Sequence, residues 1–111
     1  MKKKSSEIAS KKSDRTLNAG TIAAYVHSGD TVGAMVELLC ETDFVAKTDE
    51  FKHLSKEVAM QVAAMNPENV EALLKQDYIR DGSQTIGALV KELICKLGEN
   101  ITVKRFVRFE I

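Results

Sequence analysis

Two alternating apolar runs on either side of a tight-turn sequence constrain this chain more than any other feature. Gly20 opens the extended stretch T-I-A-A-Y-V-H, in which Ile22, Ala24 and Val26 alternate with Ala23, Tyr25 and His27. Ser28-Gly29-Asp30-Thr31 follows, and its glycine supplies the positive φ that a hairpin turn needs. The second run sets Val32, Ala34, Val36, Leu38 and Cys40 on one face against Met35, Glu37 and Leu39 on the other. The pattern predicts an antiparallel hairpin.

Helical spacing takes over downstream. Phe51, Leu54, Val58, Val62 and Met65 repeat at three- and four-residue steps, with Ala59 and Ala63 on the same side. Thr48 or Asp49 is the expected cap, and Glu50 suits the first turn. Pro67, the only proline, ends that helix and is expected to start a short second one, with Asn66 as cap and Val70, Leu73 and Leu74 facing inward. Asp81-Gly82-Ser83 reads as a turn, with Ser83 capping a last helix through Ile86, Leu89, Val90, Leu93, Ile94 and Leu97. Gly98 stops it.

The C-terminal run puts Ile101, Val103, Val107, Phe109 and Ile111 on one face and Thr102, Lys104, Arg108 and Glu110 on the other. Arg105 breaks the apolar face and Phe106 the polar one. Glu37 or Glu41 on a neighbouring strand would accommodate Arg105. Phe106 could mark a dimer surface or lie under a helix. The fold class is therefore α+β: three antiparallel strands, a hairpin plus a C-terminal strand, with helices packed on one face. The other face is left open, a physical reason to expect a homodimer.

At 111 residues the chain suits one domain, and its 44% apolar and 29% charged residues suit a globular one. No run is long and apolar enough to span a membrane, and no signal peptide begins the chain. Cys40 and Cys95 lack ligand spacing and read as small buried hydrophobes in a reducing compartment such as the cytoplasm. Residues 1–15 hold six bases against two acids, and the remainder is correspondingly acidic. Residues 1–17 read as a basic linker with a weak helix, and 18–111 as the core domain. A basic arm suits nucleic acid, but no aromatic is interleaved with it, so a solvated lead-in is expected. His27 and His53 stand without companions and read as surface groups.

Between the hairpin and the first long helix lies V-E-L-L-C-E-T-D-F-V-A-K, residues 36–47. Thr42 and Asp43 are capping residues, whose side-chain oxygens accept a backbone N–H left free by a first helical turn. Phe44, directly after them, sits at the edge of the scaffold and either folds inward or projects outward. Glu41 and Asp43 are too close in sequence to make an acid/base pair by themselves. There is no Gly-rich phosphate loop, no histidine beside a nucleophile and no ligand cluster, so neither an enzyme nor a cofactor site is expected.

C-E-T-D-F-V-A resembles the signature of the elongation factor Ts family. F-K-H-L-S-K-E-V-A-M-Q-V-A-A-M-N-P and L-G-E-N-I-T-V-K-R-F-V-R-F-E are similar to further family patterns. The likeness runs from about Lys11 to Ile111. It implies a guanine-nucleotide exchange factor that binds elongation factor Tu carrying GDP and promotes GDP release. In that reading Thr42, Asp43, Phe44 and Val45 disturb the magnesium and nucleotide site, with Thr42 holding the turn and Val45 packing beside the wedge. A-S-K-K-S-D-R is similar to the family's link between a small ubiquitin-associated-like domain and the core. Either the chain begins in that linker or it lacks the domain. Longer members carry a second lobe between the proline-ended helix and the L-K-Q-D-Y segment, here Leu74 to Tyr78, so the short, dimeric members match better. The competing expectation is a dimerisation domain that binds elongation factor Tu without exchange, and a third is RNA binding by the basic arm.

Overall fold

The computed structural model describes residues 16–111. The basic arm and, but for Thr16 and Leu17, the weak helix expected over residues 5–17 lie outside the described residues. Strands β1 (Ala19–Val26), β2 (Val32–Cys40) and β5 (Thr102–Glu110) form an antiparallel sheet in the order β1-β2-β5. Helix α1 (Asp43–Ala46) follows β2, and α2 (Asp49–Met65) runs back across the sheet. A short α3 (Val70–Lys75), a ribbon of β3 (Asp77–Tyr78) with β4 (Asp81–Thr85), and α4 (Ile86–Leu97) precede the final strand.

The hairpin forms as its sequence dictates. Gly29 (φ 96°) and Asp30 (φ 62°) make the turn, closed by the His27 N–H donating to the Val32 carbonyl at 2.9 Å. Ala23, Val36, Leu38 and Cys40 face inward. Glycine is required at position 20, where a Cβ would meet the Leu38 carbonyl oxygen at 2.2 Å.

Helix α2 fills the core. Phe51, Val58, Ala59 and Val62 are fully buried on it, with Leu54 and Ala63 nearly so. Met65, expected on the same stripe, is exposed, because the helix ends there at the left-handed Asn66 (φ 49°). That residue is therefore the C-cap of α2 and not the N-cap of α3. Asn69 caps α3 instead, accepting from the Ala72 N–H at 2.8 Å, so Pro67 lies in the connection. Ser83 likewise does not cap the last helix. It belongs to β4, hydrogen-bonded to Asp81, and Thr85 is the cap. Gly98 (φ 77°) ends α4 as expected, its N–H reaching the Ile94 carbonyl at 2.8 Å.

The two irregularities in the last strand have one cause. Pairing runs Glu37 with Arg105 and then Leu38 with Val103, so Lys104 is an extra residue in a β-bulge. Past it the alternation changes phase. Ile101, Val103, Phe106 and Arg108 lie inward, while Arg105, Val107 and Phe109 turn to the open face. Phe106 is packed against the core and is not a surface aromatic. Arg105 pairs with Glu37 at 2.6 Å. Arg108 donates to the Ala63 carbonyl at 3.0 Å, a carbonyl in the last turn of α2 that has no partner within the helix. Cys40 is buried, but Cys95 is exposed on the outer side of α4, contrary to the expectation for both.

A polar clamp fastens the ribbon to α2. The fully buried Gln61 donates from Nε2 to Gln76 Oε1 (3.1 Å) and to the Asp77 carbonyl (3.0 Å), and its Oε1 accepts from the Ile79 N–H (3.1 Å). One turn earlier, Glu57 accepts from the Tyr78 hydroxyl and pairs with Arg80 at 2.6 Å. Gln61→Leu keeps the volume and removes three hydrogen bonds to the half-exposed ribbon, so we expect urea unfolding to report a loss of about 1–2 kcal/mol. A change below about 0.5 kcal/mol would mean that water replaces the amide without cost.

Burial, and then the hydrogen bond to Glu57, push the Tyr78 phenol up to about 12. The folded state thus holds that proton more tightly than the unfolded chain. Its contribution to stability is complete below about pH 10 and disappears as pH rises towards about 12. Ultraviolet titration of native protein should show a tyrosine ionising near pH 12 that is missing in Tyr78→Phe. Loss in Tyr78→Phe of a tyrosine that ionises near pH 10 instead would show that Glu57 does not hold it.

Candidate functional site

The junction between β2 and α2 is built from two successive caps. The Thr42 hydroxyl accepts from the Val45 N–H at 3.3 Å and starts the single turn of α1. Six residues later the Thr48 hydroxyl accepts from the Phe51 N–H at 3.2 Å and starts α2, while donating to the Val45 carbonyl at 2.8 Å. Two threonines thereby turn the chain sharply from strand to helix. Val45 and Ala46 face the core, and the Thr21 hydroxyl donates to the Ala46 carbonyl at 3.4 Å.

With Val45 and Ala46 inside, the geometry of one helical turn sends the two preceding side chains outward. Asp43 is exposed and Phe44 is 82% exposed. The inward alternative for Phe44 is thereby overturned: the core beside it is already filled by Val45 and Ala46. Thr42 is exposed at the cap, so the four residues divide into an anchor, Thr42 and Val45, and a projecting pair, Asp43 and Phe44. Fully burying an aromatic contributes about 1.5–3 kcal/mol, and the fold forgoes most of that at Phe44.

The turn is held from outside its own segment. Glu99, just past Gly98, presents Oε1 to the N–H groups of Glu41 (3.2 Å) and Thr42 (3.1 Å), and Oε2 accepts from the Thr42 hydroxyl at 2.8 Å. In return Glu41 Oε2 accepts from the Asn100 N–H at 2.6 Å. Each carboxylate grips the backbone beside the other. Sequence reasoning noted Glu41 as a neighbour of Asp43 and a possible partner of Arg105, and did not single out Glu99. The signal was the string G-E-N after a helix-ending glycine, too short to point to a partner 57 residues away.

Nothing here suggests nucleophilic chemistry. Burial first, and the Glu99 carboxylate second, raise the Cys40 thiol above its ordinary value, and its Sγ donates to the Thr42 carbonyl at 3.3 Å. A protonated, buried thiol is a structural group. Among the described residues no three His, Cys, Asp or Glu side chains converge as metal ligands do. None of the described helices is long and apolar enough to cross a membrane.

A second feature is the open face of the sheet. Cross-strand register lines up Val26, Gly33 and Phe109 in one row and Ala24, Met35 and Val107 in the next, with Ile22, Glu37 and Arg105 beyond them. Ile22, Val26, Met35, Val107 and Phe109 are all exposed there.

Comparison with known proteins places the chain in a family. A family model described as Elongation factor TS matches residues 41–111, a span that begins at the junction. Elongation factor Ts from Thermoanaerobacter sp. (strain X514) is 37% identical over an alignment 155 positions long, gaps included, covering 99% of this chain and 76% of that protein. The protein of the same name from Herpetosiphon aurantiacus is 38% identical, covering the whole chain and 79% of the relative. The one from Nostoc sp. (strain PCC 7120) is 43% identical over 111 residues, the whole of this chain and 35% of that protein. By family match, identity and coverage together, the chain belongs to the elongation factor Ts family.

Proposed function

We propose that this chain is a guanine-nucleotide exchange factor of translation elongation, acting on elongation factor Tu through Thr42, Asp43, Phe44 and Val45. The observation that carries the reading is Phe44, an aromatic left 82% exposed on a turn whose backbone is capped twice and tied to a distant carboxylate. Membership of the elongation factor Ts family connects the chain to translation elongation. An exchange factor needs no reacting group of its own. It has to bind the GTPase more tightly without nucleotide and magnesium than with them, and by linkage it then weakens nucleotide binding by the same factor. A projecting wedge on a fixed turn suits that task. Phe44 inserts beside the nucleotide site, Asp43 pairs with a basic or N–H group there, Thr42 holds the turn, and Val45 anchors it in the core.

The open sheet face belongs to the same reading. A contiguous apolar surface without a helix over it marks an association site, and a second copy presents the matching rows. We take the working unit to be a homodimer joined through Ile22, Met35, Val107 and Phe109. Membrane and nucleic-acid partners have no place in the proposal, and its compartment is the cytoplasm.

Release of fluorescent GDP from elongation factor Tu tests the wedge. The parent chain should accelerate release, and Phe44→Ala should lose about 30- to 1000-fold, the effect of removing an interface anchor of about 2–4 kcal/mol. A folded parent that binds elongation factor Tu without accelerating release would instead make it a dimerisation and docking domain.

The dimer is tested by sedimentation. Met35→Glu places a charge in the middle row, opposite Val107, and should weaken association at least about ten-fold while leaving the circular dichroism unchanged. A parent that is monomeric at all concentrations would overturn the homodimer.

A further inference from the structure

The side chain of Phe44 cannot hold itself in place, since 82% of it lies in solvent. Its direction is set by the backbone of α1, a helix of four residues, and one isolated turn does not persist by its own hydrogen bonding. Something outside the turn must fix it. From beyond the junction, Glu99 grips the Glu41 and Thr42 backbone, with three donors on one carboxylate at 3.2, 3.1 and 2.8 Å. Hydrogen bonds to an ionised acceptor are about twice as strong as neutral ones.

Stability alone does not call for this arrangement. The N–H groups at an exposed strand end are ordinarily satisfied by water, and Thr42 already caps α1. What a distant carboxylate adds is orientation. Glu99 sits between Gly98, which ends α4, and Ile101, which is buried, so its own backbone is fixed on both sides. Glu41 answers by holding the Asn100 N–H at 2.6 Å. The start of the turn is thereby tied to α4 and β5 as well as to β2.

We infer that Glu99 is a positioning residue for nucleotide exchange: its carboxylate sets the angle at which Asp43 and Phe44 leave the scaffold. The inference rests on the exchange reading above. A wedge with a fixed exit angle enters its partner without first being ordered, whereas a loose one must be ordered at the moment of insertion.

The test uses the full chain, elongation factor Tu loaded with fluorescent GDP, and five proteins: parent, Phe44→Ala, Glu99→Ala, Glu99→Gln and the Phe44→Ala/Glu99→Ala pair. Glu99→Ala should lower the maximal release rate about ten-fold, and the half-saturating concentration should move less than about two-fold because the rest of the docking surface is intact. Glu99→Gln keeps one carbonyl acceptor for both N–H groups and should stay within about three-fold of the parent. In the Phe44→Ala background, Glu99→Ala should cost nothing further, since there is no aromatic left to aim. A merely structural role predicts an equal loss in both backgrounds, and that result would overturn the inference. So would a parental rate for Glu99→Ala when Phe44→Ala is inactive, an outcome that leaves the wedge standing. A parental rate for Phe44→Ala would instead remove the exchange reading, and this inference with it. Should the alanine variant not fold, Glu99→Asp, whose shorter side chain cannot bring its carboxylate to the same N–H groups, is measured in the parent and in the Phe44→Ala background. A loss seen only when Phe44 is present supports positioning, and an equal loss, or none, overturns it.

Discussion

One packing contact governs the rest of this molecule: the seating of α2 on a single face of a three-stranded sheet. Phe51, Val58 and Val62 have no solvent exposure, and they share the core with Val36, Leu38 and Cys40, which are equally dry. Interiors at that density do not tolerate a change of face, so the parity of every strand is fixed by which residues meet the helix. The bulge at Lys104 follows from this. Were the alternation to run unbroken through Lys104, Arg105 would point into the core and Phe106 into solvent. With the bulge, Phe106 packs inward and Arg108 reaches the carbonyl of Ala63 at the end of α2. The same contact determines what stays uncovered. Helix α2 spans one face only, and the rows through Met35 and Phe109 on the other are left to be closed by something else.

A second constraint acts where the sheet stops. Strand β2 ends at Cys40, and the backbone beyond it has no ladder partner. Water can satisfy donors at an exposed strand end, but only an acceptor on the protein also fixes their direction. The remote Glu99 accepts from the Glu41 and Thr42 N–H groups, Thr42 itself accepts from the Val45 N–H, and the nearby Thr48 donates to the Val45 carbonyl. Because Glu99 sits on the α4–β5 connection and Thr48 at the start of α2, the junction inherits their rigidity. A surface turn becomes part of the frame.

How far the sequence announced all this depended on whether the signal was local. The hairpin, α2, α4 and the C-terminal strand are written in periodicity, and each is found within a few residues of where the pattern puts it. Caps read from adjacent residues did less well. Thr48 and Gly98 are as expected, but Asn66, Ser83 and Pro67 exchange roles with Asn69 and Thr85, because several polar residues in a row offer equivalent caps and tertiary packing selects among them. The β3–β4 ribbon was invisible. D-G-S-Q-T has no apolar alternation, and its pairing is imposed by Gln61 from a neighbouring helix. At the candidate site, Thr42, Asp43, Phe44 and Val45 were legible as a motif, yet whether Phe44 turned in or out was not. That was decided by Val45 and Ala46 occupying the core first. Glu99 was beyond reach for the same reason as the ribbon: its partners are remote in sequence.

The exposure of Phe44 and the clasp beneath it are two sides of one requirement. A flexible turn carrying an exposed aromatic would lower its free energy by folding the ring back onto the nearest apolar surface, a gain of up to about 1.5–3 kcal/mol. The ring stays out because the backbone is not free to follow it. Thr42 is tied to Glu99, Val45 is buried, and the Val45 carbonyl is held by the Thr48 hydroxyl. Rigidity here opposes local collapse, and for a proposed wedge that opposition is functional. The apolar stabilisation that the free protein forgoes at Phe44 remains available for a partner that covers the ring. Under the proposed exchange role, whatever part of it is realised only when the partner's nucleotide has left would act directly on the exchange equilibrium.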